Sequence, residues 1–578
     1  MKLRFLLLLP LICLVTAVFA QQVPVEEKVL SNGMKLLMVK RADEPSIAGG
    51  WVVKVGSANE RPGITGIAHL FEHMMFKGTP TLGTKDYQED LRIIAEQERV
   101  RGLMREEERK MRAAWRRGEI DDLLKPENQS TRYRELEKEF NALIERQRQI
   151  LVKNEFDRLY TSVGGSGMNA FTSQDMTAYF ITVPANRLEF WMWMESERLL
   201  RPVFREFYAE RDVVFEERRM RTESTPTGKF EEQFEAMFWT SHPYGWPVVG
   251  WPSDIPAITK AQADEFYATY YAPQNITLIL VGDFNPAEAF QLAEQYFGRI
   301  PRGKLDPPEV VTLEIPQAQE KRMNAEAETL PQADILWHTV PFGHPDSYAL
   351  AVMAQLLSGK TGRLHKGLVL GREVATDTWA WQDSRKWAGL FNIGGQAKDG
   401  KTPDDVEQTI YAELDKLKHE TVPAEELQKV KNNFAAAEYR KLAANHPILM
   451  QLIFNEGKGG WRELNEGGAK IQAVTADDVK RVANKYFTRE ARAVAIYTRK
   501  PGKSAAEEDP DLAGLSDEQK PVIRQITGAL KQESDVGKLK AQLQQIEARA
   551  GSADAKQKPF FNVFRKKIEA RIAELEKK

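Results

Sequence analysis

Short apolar runs bounded by turn residues open the chain and predict strands. Val29-Leu30 leads through Asn32-Gly33, a hairpin signal, into Met34 to Val39. Ile47 to Val55 follows and ends at Gly56-Ser57. Pro62-Gly63 and Thr65-Gly66 then introduce an amphipathic helix expected over Gly66 to Gly78. Further on, Gly164-Gly165-Ser166-Gly167 reads as a flexible turn, and Asn169 to Thr172 leads into a strand over Ala178 to Val183. Leu188 to Met194 is so bulky and apolar that it reads as a core helix. Thr259 caps a helix running to Tyr270-Tyr271, and a buried strand follows over Asn275 to Asp283. The same cap, helix and strand recur at Thr475, Tyr486-Phe487 and Ala491 to Tyr497.

That recurrence predicts an α+β fold made of two duplicated α/β sandwich halves, each a sheet packed against helices. Pro307-Pro308 marks the join, and Ala333 to Val340 opens the second half. The expected boundaries are 21–303 for the first domain, 304–315 for the linker and 316–503 for the second.

Two segments fall outside the duplication. Over about 86–155, Tyr87, Leu91, Ile94, Leu103, Met104, Met111 and Trp115 recur at helical spacings in a charged background. Tyr133, Leu136, Phe140, Leu143 and Ile150 do the same after a turn near Pro126. Together they predict an inserted antiparallel helical hairpin with a narrow, coiled-coil-like seam, either a plain solvated arm or a docking element. Residues 504–578 form a charged helical extension, with a cap at Leu515 to Glu518, a flexible break at Gly551-Ser552 and an apolar stripe from Phe560 to Leu575.

At the start, basic Met1 to Arg4, an apolar Phe5 to Val18 and small residues at Val18-Phe19-Ala20 have the form of a cleaved signal peptide over 1–20. A periplasmic or secreted location is expected, in preference to a membrane anchor. The single cysteine, Cys13, lies inside it, so the mature chain has no disulfide. Charged residues are 28% and apolar residues 42%, a globular balance. A net charge of -2 gives no reason to expect nucleic acid as a partner.

The chemistry concentrates at His69, Glu72 and His73. Two histidines four apart project from one helix face and can share a metal ion. Imidazole and carboxylate ligands suit zinc, and three protein ligands leave a fourth position for water. Glu72, beside His73, is placed to activate that water as a general base. A third ligand must come from another element. Glu210 and Glu217, seven apart, fall within about 20° on a helix, whereas Glu216 is turned about 100° from Glu217.

The order H-x-x-E-H in His69 to His73 is the inverzincin signature. With Gly164-Gly165, Asn169-Ala170-Phe171-Thr172-Ser173 and Glu210 to Glu217, it resembles the M16 (pitrilysin- and insulinase-like) zinc metallopeptidases over roughly residues 25 to 500. The resemblance implies a metalloendopeptidase of the periplasmic two-domain type, acting on peptides or unfolded proteins with one zinc ion per chain. His69, His73 and Glu217 fall on metal-ligand positions, Glu72 on the catalytic base and Glu210 on a carboxylate supporting a ligand. Asn169 and Ala170 fall on an edge strand that pairs with the substrate backbone. The interval from His73 to Glu217 is longer than the family's, which the hairpin explains.

One departure bears on mechanism. Active relatives place an Arg and, seven positions on, a Tyr in the second half, and here Val369 and Thr376 occupy those places. Neither can donate the bonds that stabilise an oxyanion. Arg372 and Trp379 share the spacing under a shifted alignment. Because some relatives divide the work between subunits, the resemblance implies a heterodimer with a paralogous subunit carrying the Arg/Tyr pair, in preference to a homodimer. The alternative is a catalytically silent assembly subunit that keeps the fold.

Overall fold

The computed structural model describes residues 22–500 except Leu124, and 511–576 except 513–514, 516–518, 534 and 554–556. The expected signal peptide over 1–20 and most of the Leu515–Glu518 cap lie outside the described residues. The chain divides into two compact units, Met1–Thr498 and Arg499–Lys578.

In the first unit, β1 (Glu26–Val29) turns into β2 (Lys35–Lys40). Gly33 at the turn has φ +90°, which glycine adopts without strain. There follow β3 (Ser46–Val53), α1 (Ile67–Met74), α2 (Tyr87–Arg116), α3 (Thr131–Ile150), α4 (Glu155–Ser162), β4 (Ser166–Thr172) and β5 (Thr177–Pro184). Next come α5 (Leu188–Leu200), α6 (Phe207–Arg218), α7 (Gly228–Phe238), α8 (Lys260–Tyr270), β6 (Ile276–Gly282) and α9 (Pro286–Tyr296). The second half runs β7 (Lys321–Ala327), β8 (Gln332–Thr339), α10 (Pro345–Leu357), β9 (Ala375–Ser384) and β10 (Gly389–Ala397). It continues with α11 (Pro403–His419), α12 (Ala424–Lys441), α13 (Asn445–Lys458), α14 (Glu463–Ala473), α15 (Ala476–Tyr486) and β11 (Arg492–Arg499).

The duplication is visible in the strand order. One sheet runs β1-β2-β6-β3-β5-β4 and the other β7-β11-β8-β10-β9. From its second strand onward the first order maps onto the second by adding five to each strand number. Helices α8 and α15, which lead into the matching strands β6 and β11, both begin with a capping box, at Thr259 and Thr475. The fold is α+β with two such sandwich halves.

The division at 316 needs amendment, because each sheet is covered on one face by a helix from the opposite half. One face of the first sheet packs on its own helices, with Trp51, Tyr179 and Leu278 against Phe71 of α1 and Trp191 of α5. Its other face, Leu37, Val52 and Ile279, is buried under Ile448, Leu449, Leu452 and Ile453 of α13. Reciprocally, Phe234 and Phe238 of α7 cover Leu336, Leu390 and Ala493 of the second sheet. Both faces of each sheet are apolar and need cover, and the exchanged helices bind the halves into one unit. The linker is anchored too: the Glu314 carboxylate accepts the N–H groups of Thr240, Ser241 and His242. Strand β7 precedes the segment at Ala333 that was expected to open the second half.

The hairpin forms as α2 and α3, with Met104, Met111, Leu136 and Phe140 of the expected seam buried, but two expected positions face water and polar residues take part in the seam. Leu91 and Trp115 are exposed, whereas Asp90, Gln97 and Glu107 of α2 and Gln147 of α3 are buried beside Ile93, Val100, Met104, Leu136 and Phe140. Gln147 explains the polar positions, since its amide donates to Asp90 (2.8 Å) and accepts from Gln97 (3.1 Å). The second unit contains α16 (Gln519–Gln532), α17 (Val536–Ser552) and α18 (Lys558–Leu575). Leu530, Leu539, Ile546, Ile568 and Ile572 form its core. Helix α17 ends at Ser552 and α18 starts at Lys558, so the helix stops directly after Gly551-Ser552 rather than before them. Among the described residues, no helix is long and apolar enough to cross a membrane.

Candidate metal centre

Helix α1 carries His69, Glu72 and His73 and is shorter than the sequence pattern suggested, ending at Met74 rather than Gly78. Its start is fixed by Glu60, whose two carboxylate oxygens accept the N–H groups of Gly66 (2.9 Å) and Ala68 (2.8 Å). Gly66 has φ +90°, and a Cβ there would stand 2.5 Å from the Val249 carbonyl oxygen, so only glycine fits. Phe71 and Met74 are buried and lock the helix to the core, which leaves the His69–His73 face toward α6.

Helix α6 supplies the acidic partners. Glu217 Oε2 lies 3.6 Å from His69 Nε2 and 3.4 Å from His73 Nε2. Ligand atoms of these three residues all lie within 4.8 Å of one another. Donors arranged tetrahedrally around zinc at about 2.0–2.2 Å stand about 3.4 Å apart, so the three groups fit a zinc ion. Glu210, on the same face of α6, accepts from His73 Nδ1 at 2.9 Å. That bond fixes the tautomer that presents Nε2. Glu216 points elsewhere and pairs with Arg219 at 3.0 Å. Glu72 Oε2 accepts from the Thr172 hydroxyl at 2.7 Å.

Burial sets the titration of the group. It pushes His69 down to about 3, helped by His73 and Arg221, so this imidazole is neutral and able to ligate. Burial raises the Glu72 carboxyl, against the Thr172 hydrogen bond. For His73 burial works downward but is outweighed by Glu210, Glu217 and Glu72, and the ring is raised overall. Glu210 is buried too, yet its bonds to His73 and Lys77 hold it at about 2.

A cleft of about 540 Å³ opens beside Glu72 and His73. Asn169 and Ala170 line it, on β4, which is an edge strand bonded only to β5. Strand β4 begins at Ser166, so the glycine turn is shorter than expected, and its register with β5 is irregular between Ser166 and Asn169. The Ala170 N–H is bonded to the Asn169 side chain at 2.9 Å. Val369, Arg372, Thr376 and Trp379 do not line this cleft. Trp379 donates its indole N–H to Asp334 at 3.2 Å and lies against Gly394, leaving no room for a Cβ there.

A family model described as Insulinase (Peptidase family M16) matches residues 36–99, which include α1, and one described as Peptidase M16 inactive domain matches residues 257–434. The chain belongs to the M16 peptidase family. This M16 chain is 26% identical over 478 residues to the zinc protease PqqE of Helicobacter pylori, spanning 80% of this chain and 90% of that protein. It is 22% identical over 465 residues to the uncharacterized zinc protease YmxG of Bacillus subtilis, spanning 79% and 94%. A crystal structure of a protease from Helicobacter pylori shares the fold, with a TM-score of 0.67, 23% identity and 82% and 99% coverage. The periplasmic protease PqqL from Escherichia coli shares it at a TM-score of 0.60 and 17% identity, over 84% of this chain and 49% of that one.

Three contacts at the M16 site were not read from the sequence. Thr172 holds Glu72, Lys77 pairs with Glu210 at 2.5 Å, and Arg221 pairs with Glu217 Oε1 at 2.5 Å. Only Arg221 carried a signal, its place four residues after Glu217 on a helical path. These groups also set a pH expectation. A proton on the raised His73 competes with metal, so zinc affinity should fall as pH drops below the His73 value, about tenfold per unit for one released proton. His69 adds nothing until about 3. A chelator competition across the acid range measures the slope.

Proposed function

We propose that this chain is a zinc-dependent endopeptidase acting on peptides or unfolded proteins, with one zinc ion held by His69, His73 and Glu217. The observation that carries the reading is the meeting of Glu217 with both imidazole Nε2 atoms from a helix distant in sequence. Zinc would supply Lewis-acid chemistry, polarising the peptide carbonyl and acidifying water. Glu72 takes the proton from the attacking water and passes it to the leaving amine. Its raised carboxyl brings that base closer to neutral pH. Thr172 fixes one oxygen of Glu72, and Glu210 holds the His73 ring. An extended peptide adds to the open edge of β4 at Asn169 and Ala170, its carbonyl displacing the Asn169 side chain from the Ala170 N–H.

The absence of an Arg/Tyr pair at Val369 and Thr376 supports a heterodimer, in which a paralogous subunit supplies the groups that hold the substrate carbonyl. It equally favours the second reading, a silent assembly subunit. The signal-peptide pattern over 1–20 supports a periplasmic or extracellular setting. Incubation with an unfolded polypeptide, followed by mass spectrometry, tests the reading. Internal cleavage is expected, weak alone and stronger with the paralogous subunit. It should stop with chelator and resume with about one zinc ion per chain. No cleavage under any of these conditions favours the assembly role.

A further inference from the structure

The root of the helical arm meets the body next to the metal helix, through one buried cation. Arg205, 1% exposed, donates Nε to Asp90 Oδ2 at 2.8 Å. Its Nη1 donates to the carbonyls of Lys77 and Leu82, both at 2.7 Å, and its Nη2 to that of Thr79 at 2.8 Å. Asp90 lies in the first turn of α2 and is wholly buried; its other oxygen accepts from Gln147 of α3. Helix α2 and the loop that follows α1 therefore meet on a single guanidinium, and α3 joins them through Asp90. The loop is shaped around it, since Gly78 and Gly83 have φ +104° and +92° and a Cβ on either would stand 2.5 or 2.6 Å from Arg205 Nη1.

The connection continues into the metal site. Lys77, whose carbonyl Arg205 holds, extends its ammonium to Glu210 (2.5 Å) and Glu206 (3.4 Å). Glu210 in turn holds His73 Nδ1. A buried Asp–Arg pair is a poor device for stability alone, because desolvation of both charges offsets their attraction. Its geometric specificity is the better explanation: three N–H donors of one rigid guanidinium fix the carbonyls of Lys77, Thr79 and Leu82, and so the place of the Lys77–Gly83 loop.

We propose that Asp90 and Arg205 are positioning residues of the metal centre, the arm's root acting as a brace that sets Lys77, Glu210 and hence the His73 ring. This rests on reading His69, His73 and Glu217 as a zinc site. The test compares the full chain with Arg205→Lys, Asp90→Asn, Leu136→Ala and Trp115→Ser, reading zinc affinity by chelator competition and kcat and KM on a fluorogenic peptide. Arg205→Lys and Asp90→Asn should each weaken zinc binding and lower kcat by about 10–100-fold, the usual effect of losing an outer-shell partner. kcat should fall by a larger factor than KM rises, since ligand geometry is what changes first, although the Lys77–Gly83 loop also lines the cleft beside Glu72. Leu136→Ala opens a cavity in the arm without touching the brace and should lower the melting temperature while sparing zinc affinity. Trp115→Ser, far along α2, should change nothing. If wild type binds no zinc, the metal reading itself fails. If wild type binds zinc and both brace variants, folded by circular dichroism, bind it equally well, the brace is wrong. Equal zinc loss in Leu136→Ala would also overturn it, since general destabilisation would then suffice.

Discussion

Replacing Glu72 with glutamine should lower kcat by about 10²–10⁴-fold, the contribution of a positioned general base, while the chain still binds zinc. The amide keeps the size of the side chain and can still accept the Thr172 hydroxyl at the position of Oε2. What it loses is the ability to take a proton. Because Glu72 is on the helix face beside His73 but is not one of the three groups that converge, metal content should stay at wild-type level. Zinc analysis of the purified variant beside its turnover separates the two roles. Loss of both together would make Glu72 a ligand and displace Glu217 from that part.

Glu217→Ala should have the largest effect on metal binding. A tightly held zinc ion carries roughly 10–16 kcal/mol, so losing one of three protein ligands should weaken binding by on the order of a thousandfold or more. The substitution also frees Arg221, whose cation now pairs with Glu217 Oε1, next to two imidazoles. Glu216→Ala, one position away, should leave affinity unchanged, because Glu216 pairs with Arg219 on the outer side of α6. Zinc titration of the two variants in parallel makes the contrast direct. Equal loss in both would point to disruption of α6 rather than removal of a ligand.

The parts of this structure that were legible in the sequence are those written in short-range patterns. The pairing of His69 with His73 needs only one helical turn, and the Glu210–Glu217 face only two. Thr259 with Gln262, and Thr475 with Asp478, marked equivalent helix starts in the two halves and so revealed the duplication. Packing between distant segments was not legible. Nothing local in Asn445–Lys458 says that its apolar face belongs to the first sheet, whose strands β2, β3 and β6 lie far earlier in the chain, because any apolar surface would satisfy it. The arm shows the same limit from the polar side. Asp90, Gln97 and Gln147 read as solvated residues, yet they are buried because they satisfy one another and Arg205. The expected seam therefore caught Met104, Met111, Leu136 and Phe140 but also took in Leu91 and Trp115, which face water, and missed the buried polar positions.

Anomalous diffraction at the zinc edge, from crystals of the zinc-loaded chain, tests the central claim most directly. The account predicts one peak at about 2.0–2.2 Å from His69 Nε2, His73 Nε2 and a carboxylate oxygen of Glu217. A peak elsewhere, or a Glu217 carboxylate bound only to Arg221 and away from the ion, would contradict it.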